Sequence, residues 1–258
     1  ALSVVRSLTI NLYDIMLANM KIVIYGAGGI GSSVGGHLSR AGHDVVLIGR
    51  PGHVKAINER GLRLVTPTAT HSLRMPAVTS PDQIDFRPDD VVFLCVKGQN
   101  TEEALRDLSA VTKDVAVFCF QNGVRNEEIT ARYFARVYGV MIRAGAVFLT
   151  NGEVVSHRDP PGSLVIGRYP QGTDQLTENV AETLRSCGYS VTITPDIMPY
   201  KWGKLMSNIA NAIRAITDTT GEEVDFLSHA VRQEFRDLLT KAGIRWVSLA
   251  GPPGKRPA

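Results

Sequence analysis

Cysteine is scarce, with three in 258 residues at positions 95, 119 and 187. An odd number, widely spaced and without a Cys-x-x-Cys pair, fits neither a disulfide framework nor a thiolate zinc site, and suits a reducing, cytoplasmic setting. Metal-ligand spacing is missing among the histidines as well. His37, His43, His53, His71, His157 and His229 form no His-Glu-x-x-His pattern, read mostly as surface residues, and give metal catalysis no foothold. No apolar run reaches the ~18 residues that a membrane-spanning helix needs. An excess of one charge is absent too: the formal net charge is +3. Much of it comes from Lys241, Arg245, Lys255 and Arg256 near the end of the chain, so the body is close to neutral and nucleic-acid binding by a basic face has no support. What is there, 44% hydrophobic and 21% charged residues, is the composition of a globular protein of one large or two small domains.

Residues 1–19 read as an extension upstream of Met20, because Asn11 and Asp14 interrupt the apolar stretch that a secretory signal requires. From Lys21 the pattern becomes strong. Lys21 to Tyr25 is a β-branched run ending in Gly26, residues 29–41 are amphipathic and close at Gly42, and Asp44 to Ile48 is a second strand. Strand, glycine turn, helix and strand within about 30 residues form a βαβ unit whose parallel strands are buried on both faces. Val91 to Val96 and Val115 to Phe120 continue the pattern as buried strands flanking a helix from Thr101 to Ala110. This is an α/β chain with an open Rossmann-type sheet.

Residues 136–167 read as hairpins or meander strands added to one end of that sheet, followed by a helix from Gln175 to Cys187 and a last strand from Ser190 to Thr194. After Pro195 the period is helical. Leu205, Ile209, Ala212 and Ile216 make one apolar stripe; a second helix is expected from Ser228 as N-cap to Ala242, with Val231, Phe235, Leu238 and Ala242 inward. The expected division is an extension over 1–19, a dinucleotide-binding domain over 20–195 and an all-helical domain over 196–258, with the Gly/Pro-rich tail from Gly251 unable to continue a helix.

Three glycines in the pattern Gly26-x-Gly28-x-x-Gly31 mean little alone, but here a strand enters and a helix leaves, so backbone N–H groups and the positive helix end face an anion. The turn from Gly26 through Ala27, Gly28, Gly29, Ile30 and Gly31 is therefore a candidate pyrophosphate site. The second strand ends in Arg50, 19 residues beyond Gly31, where NAD-specific sites place an acid. An arginine and no acid at that position favour NADP(H), with Lys55 as a second contact to the same phosphate.

Ligands bind outside the carboxyl ends of strands in open α/β sheets, which singles out Lys97-Gly98-Gln99-Asn100 and Gln121-Asn122-Gly123. A turn lysine and an Asn-Gly turn are the plainer readings of these two groups. On a continuous helix after Pro195, Lys204, Asn208 and Asn211 point the same way beside the apolar stripe. One ammonium and two carboxamides suit an anionic or ketone substrate, although a solvated helix edge would look alike.

The glycine turn with Arg50, VKGQNTEEAL from Val96, QNGVRNEE from Gln121 and KWGKLMSNIANAI from Lys201 occur in the order and spacing of the ketopantoate reductases, and residues 21–243 resemble that family. The resemblance implies NADPH-dependent reduction of a small 2-keto acid, 2-dehydropantoate to (R)-pantoate, in the cytoplasm. It implies Lys204 as general acid, Asn122 and Asn208 against substrate or nicotinamide, and Lys97 beside the cofactor. Asn211 stands one position short of the family's second helix asparagine, and Asn100 replaces a frequent glutamine. The helical domain is shorter than in the family and lacks its substrate-site serine and glutamate, leaving a patch where a second copy could pair as a homodimer. Lys201 and Lys97 are expected to ease deprotonation of Lys204 by like-charge repulsion. Two alternatives stand beside this reading: a shortened NADP(H)-binding relative with little turnover, and a reductase of a different oxo acid.

Overall fold

The computed structural model describes residues 20–216 and 221–249; the extension over 1–19 and the tail from Gly251 lie outside the described residues. Four short strands, β1 (Ile22–Tyr25), β2 (Val45–Ile48), β6 (Val91–Leu94) and β7 (Ala116–Cys119), are apolar throughout and wholly buried. That is what strands covered by helices on both faces require. Between and after them run α1 (Gly29–Arg40), α2 (Pro51–Arg60), β3 (Leu62–Val65), β4 (Thr70–Leu73), β5 (Ala77–Val78), α3 (Thr101–Val111) and α4 (Asn126–Thr130). The sheet portion finishes with β8 (Val137–Arg143), β9 (Ala146–Val147), β10 (Glu153–Ser156), β11 (Ser163–Arg168), α5 (Gln175–Ser186) and β12 (Ser190–Ile193).

The main sheet has eight strands in the order β12-β11-β8-β7-β6-β1-β2-β5. From β8 to β5 all neighbours are parallel, while β11 runs antiparallel to β8 and carries β12 parallel to itself. Aromatic rings lock the central register. Phe93 faces Phe118 across β6 and β7 with ring centroids 5.6 Å apart, and Phe118 stacks on Tyr138 of β8 at 4.3 Å. Such pairs add about 0.5–1.5 kcal/mol each beyond the apolar area that they bury. The Tyr138 hydroxyl donates to Asp174 at 2.7 Å, and Asp174 caps α5 by accepting from the Thr177 N–H, so sheet and helix share one anchor.

One expectation fails in the 136–167 region. Only β8 and β11 extend the main sheet; β9 and β10 leave it and join β3 and β4 in a separate sheet ordered β4-β3-β10-β9. The physical reason is a second apolar surface: α1 is buried on both sides, so its outer side needs a cover, and Leu62, Leu64 and Val154 supply it with period-two burial.

The helical portion also departs from expectation. The stripe from Leu205 to Ile216 does not lie on one helix, because α6 (Met198–Asn208) ends and a new short helix, α7 (Asn211–Ile216), begins after a turn at Ile209 and Ala210. Asparagines flank the break; their short carboxamides compete with helical backbone hydrogen bonds. Ala212 and Ile216 are consequently exposed. The following helix, α8 (Glu222–Lys241), starts before Ser228, with Glu222, Glu223 and Asp225 in its first turn complementing the helix dipole. Ser228 is buried within the helix rather than capping it. Val224, Ser228 and Leu239 face inward with Val231 and Phe235 half-buried, whereas Leu238 and Ala242 point out.

Candidate active site

Gly26 follows β1 with φ of 110°, a conformation that side-chain-bearing residues rarely adopt, and a Cβ there would stand 2.6 Å from the Val96 nitrogen. The N–H groups of Gly26 and Ala27 both donate to the Ile48 carbonyl at 3.0 and 2.9 Å, fastening the turn to the end of β2. A Cβ on Gly31 would overlap the Gly26 carbonyl oxygen, so only glycine lets α1 start this close to the strand. Around Gly28 there is open space, with nothing within 4 Å of where its Cβ would be. Gly28 is the N-cap, no side chain caps α1, and its first turn holds no acid. The N–H groups of Gly29 and Ile30 thus meet the helix dipole at an uncapped, open end, the chemistry of a phosphate cradle.

Arg50 is the N-cap of α2 at the end of β2, exposed, followed by Pro51, and in no ion pair among the described residues. Lys55 is turned to Glu59 at 3.9 Å along the helix surface. His53 is buried, an exception to the expected surface histidines, as is His37. The His53 Nδ1 accepts from the Gly152 N–H at 2.9 Å and its Nε2 lies 3.1 Å from the Ser32 hydroxyl, tying α2, α1 and the turn before β10 together. Burial pushes its pKa below 6.5, favouring the neutral ring that this bonding needs.

At the carboxyl ends of β6 and β7, Lys97 and Asn122 are both exposed, and Asn100 sits beyond Lys97 in the short 3-10 turn Gly98–Asn100. Gly123 has φ of 96°, so the Asn-Gly pair does form a tight turn. A buried network, unforeseen in the sequence, holds it. The Asn126 side chain donates to the Asn122 carbonyl at 3.0 Å and accepts from Thr101 Oγ1 at 3.0 Å, and Gln121 Nε2 donates to that hydroxyl at 3.1 Å.

Helix α6 packs against β8 and carries two lysines with different surroundings. Lys201 is buried, its ammonium 2.6 Å from Glu127. Lys204 is half-buried, with Asn208 one turn further along. Burial, and then the charge of Arg143, hold the Lys204 pKa below its ordinary 10.5. The expected repulsive neighbours, Lys201 and Lys97, are therefore replaced by Arg143, since Lys201 is matched by an acid and Lys97 is solvated. Arg143 closes the apolar run of β8 at its carboxyl end, and the rule that singled out Lys97 and Asn122 would have found it. Three residues later the Ala146 carbonyl abuts Gly29, at 2.8 Å from where a Cβ would be, which brings the β8 end and the glycine turn to the same edge of the sheet. Asn211 is exposed at the start of α7 and does not share a helix face with Lys204. Gly203 allows the 244–249 segment to cross α6, since a Cβ would overlap the Val247 carbonyl, and the Val247 N–H donates to Pro199 at 2.9 Å.

A separate hollow of about 620 Å³ between Thr194–Tyr200 and Leu239–Val247 is lined by none of Arg50, Lys97, Asn122, Lys204 and Asn208. Among the described residues no group of three or more His, Cys, Asp or Glu is placed to hold a metal ion, and no helix is long and apolar enough to cross a membrane.

The family description "Ketopantoate reductase PanE/ApbA" matches residues 22–171. The chain is 38% identical to a 2-dehydropantoate 2-reductase of Pyrococcus horikoshii, covering 77% of this chain and 64% of that protein. It is 32% identical to one of Archaeoglobus fulgidus, covering 86% and 75%. Among solved structures, the PanE/ApbA family ketopantoate reductase of Ralstonia eutropha superposes with a TM-score of 0.79 at 30% identity, covering 89% of this chain and 77% of that one. A D-mandelate dehydrogenase solved with NADH and anilino(oxo)acetate shares the fold at a TM-score of 0.73 and 23% identity, covering 88% of this chain and 76% of that one. The chain thus spans about two thirds to three quarters of these proteins. It belongs to the ketopantoate reductase PanE/ApbA family.

Proposed function

We propose that this chain binds NADPH across the carboxyl edge of its sheet and reduces the ketone of a 2-keto acid, 2-dehydropantoate, to the secondary alcohol pantoate. The observation that carries this reading is Lys204: a half-buried ammonium, lowered in pKa by burial and by the charge of Arg143 at the carboxyl end of β8, whose following segment abuts the uncapped start of α1. The glycine turn fits a dinucleotide because Gly28 leaves room for a diphosphate and no side chain among the described residues caps the first N–H groups of α1. Arg50 supplies a cation, with no competing acid, where a ribose 2′-phosphate would lie. Lys97, beyond β6, flanks the same edge.

When bound, the reduced nicotinamide supplies the hydride that the ketone carbon accepts. The protein supplies the rest. Lys204 gives its proton to the ketone oxygen as negative charge develops there, leaving a neutral amine that is reprotonated from solvent. A lowered pKa makes that transfer easier than from an ordinary lysine. Asn208, one turn along α6, and Asn122, held by Asn126, orient the keto acid through hydrogen bonds. The free, widely spaced thiols suit a reducing compartment.

A steady-state assay with 2-dehydropantoate and a panel of other 2-keto acids, following NADPH and NADH oxidation separately, tests this reading. NADPH oxidation with 2-dehydropantoate preferred is the expected result. NADPH binding seen by fluorescence, without oxidation in the presence of any keto acid, would instead identify a binding protein without turnover.

A further inference from the structure

Lysine is seldom buried, and Lys201 is buried almost completely: its side chain is 2% exposed and that of its partner Glu127 is 0% exposed. The Lys201 ammonium lies 2.6 Å from Glu127 Oε1, donates to the Gln121 carbonyl at 2.8 Å, and reaches those of Val140 at 3.3 Å and Cys119 at 3.4 Å. Glu127 Oε2 has no hydrogen-bond partner among the described residues. A pair desolvated this far is a poor device for stability, since well-packed apolar side chains of similar volume do as well or better. What apolar packing does not supply is direction. An ammonium with three donors and fixed acceptors on two strands sets the rotation and axial position of the helix that bears it.

The acceptors are informative. Gln121 immediately precedes Asn122; Asn126, next to Glu127 on α4, holds the Asn122 carbonyl. One buried pair therefore joins α6, which carries Lys204 and Asn208, to the turn that carries Asn122. We infer that Lys201 and Glu127 are positioning residues for the reduction: their buried ion pair fixes α6 against the carboxyl end of β7 and the middle of β8, and so sets where the Lys204 ammonium stands relative to Asn122. This role rests on Lys204 being the proton donor.

Three variants of the full chain test it, with kcat, KM for the keto acid, NADPH Kd and Tm measured for each. Lys204→Ala checks the underlying reading. Glu127→Gln removes one charge and keeps the side-chain shape. Lys201→Met with Glu127→Leu replaces the pair by apolar side chains. For both pair variants kcat is expected to fall about tenfold to a hundredfold, the scale of a misplaced catalytic group. KM is expected to change less than kcat, and NADPH Kd to stay within about twofold, because the cofactor turn is not held by the pair. In the double variant a wild-type Tm with lowered kcat supports positioning. A wild-type Tm together with wild-type kcat overturns it and leaves the pair as core filling. Should Glu127→Gln fail to fold, the double variant decides alone. Full turnover by Lys204→Ala sinks the proton-donor reading and the positioning role with it, whereas loss of turnover there with an active double variant sinks positioning only.

Discussion

Lys204 on α6 stands within electrostatic reach of Arg143 at the carboxyl end of β8, and burial together with this second cation holds its pKa below 10.5. A proton donor works in its protonated form, so activity is present at pH values below that pKa and is lost as pH rises through it. The basic limb of kcat/KM is accordingly expected below pH 10.5. Arg143→Gln removes one of the two causes and moves the limb upward, while burial keeps it short of the unperturbed position. Profiles of the two proteins over the alkaline range check this; coincident limbs would mean that Lys204 does not feel Arg143.

Removing the ammonium itself is the sharper test. Lys204→Ala is expected to lower kcat by about 10²- to 10⁴-fold, the usual worth of a positioned acid. NADPH affinity is expected to hold, because the cofactor contacts proposed here lie on the glycine turn and at Arg50. Fluorescence titration alongside the rate assay separates the two effects.

Much of this arrangement was legible locally. A β-branched run into Gly26, a helix from Gly29 and a strand ending before Arg50 follow each other within one βαβ unit, and nearest-neighbour chemistry determines each step. Lys97 and Asn122 were visible for the same reason, as polar residues directly after buried strands. What was hidden depends on partners remote in sequence. Leu62 and Leu64 alternate clearly, but nothing nearby says that they cover α1 together with Val154 from a strand far along the chain. Lys201 reads in the sequence as a repulsive neighbour of Lys204, because its acid, Glu127, lies on another element. The turn at Ile209 and Ala210 broke a helical period that continues in the residues but not in the backbone, and that break displaced Asn211 from the face of Lys204.

Cofactor choice is testable at Arg50. Loss of a charge-assisted contact to phosphate costs about 1.5–3 kcal/mol, so Arg50→Ala is expected to weaken NADPH binding by about ten- to a hundredfold. NADH, which lacks the 2′-phosphate, is expected to bind the variant as it binds the parent. Equal weakening of both cofactors would place the 2′-phosphate elsewhere.

His37 makes the fold sensitive to acid. Burial first, and the charge of Arg40 second, lower its pKa from 6.5 to about 4, and its Nε2 has no hydrogen-bond partner among the described residues. Between those values the unfolded chain takes up a proton that the folded chain refuses, so the contribution to stability is complete above pH 6.5 and is lost as pH falls towards about 4. Because the ring bonds to nothing through that nitrogen, His37→Leu is expected to fold and to lose less stability over this window. Urea unfolding of both proteins across it measures the difference, and parallel slopes would remove His37 from the account.

Gly28 and Gly31 look alike in sequence and should fail differently. A Cβ on Gly31 overlaps the Gly26 carbonyl, so Gly31→Ala must push α1 off the turn, at a cost of about 1–3 kcal/mol or more from overpacking. Both Tm and NADPH affinity are expected to fall. Gly28 has φ of −85° and open space around its missing Cβ, so Gly28→Ala is expected to leave Tm within a degree or two of the parent, as for a surface substitution without new strain. Its methyl group stands where the backbone must approach a diphosphate closely, and NADPH affinity is expected to drop tenfold or more, about 1.4 kcal/mol. A Gly28→Ala variant that binds NADPH as tightly as the parent would show that the diphosphate does not cross this turn.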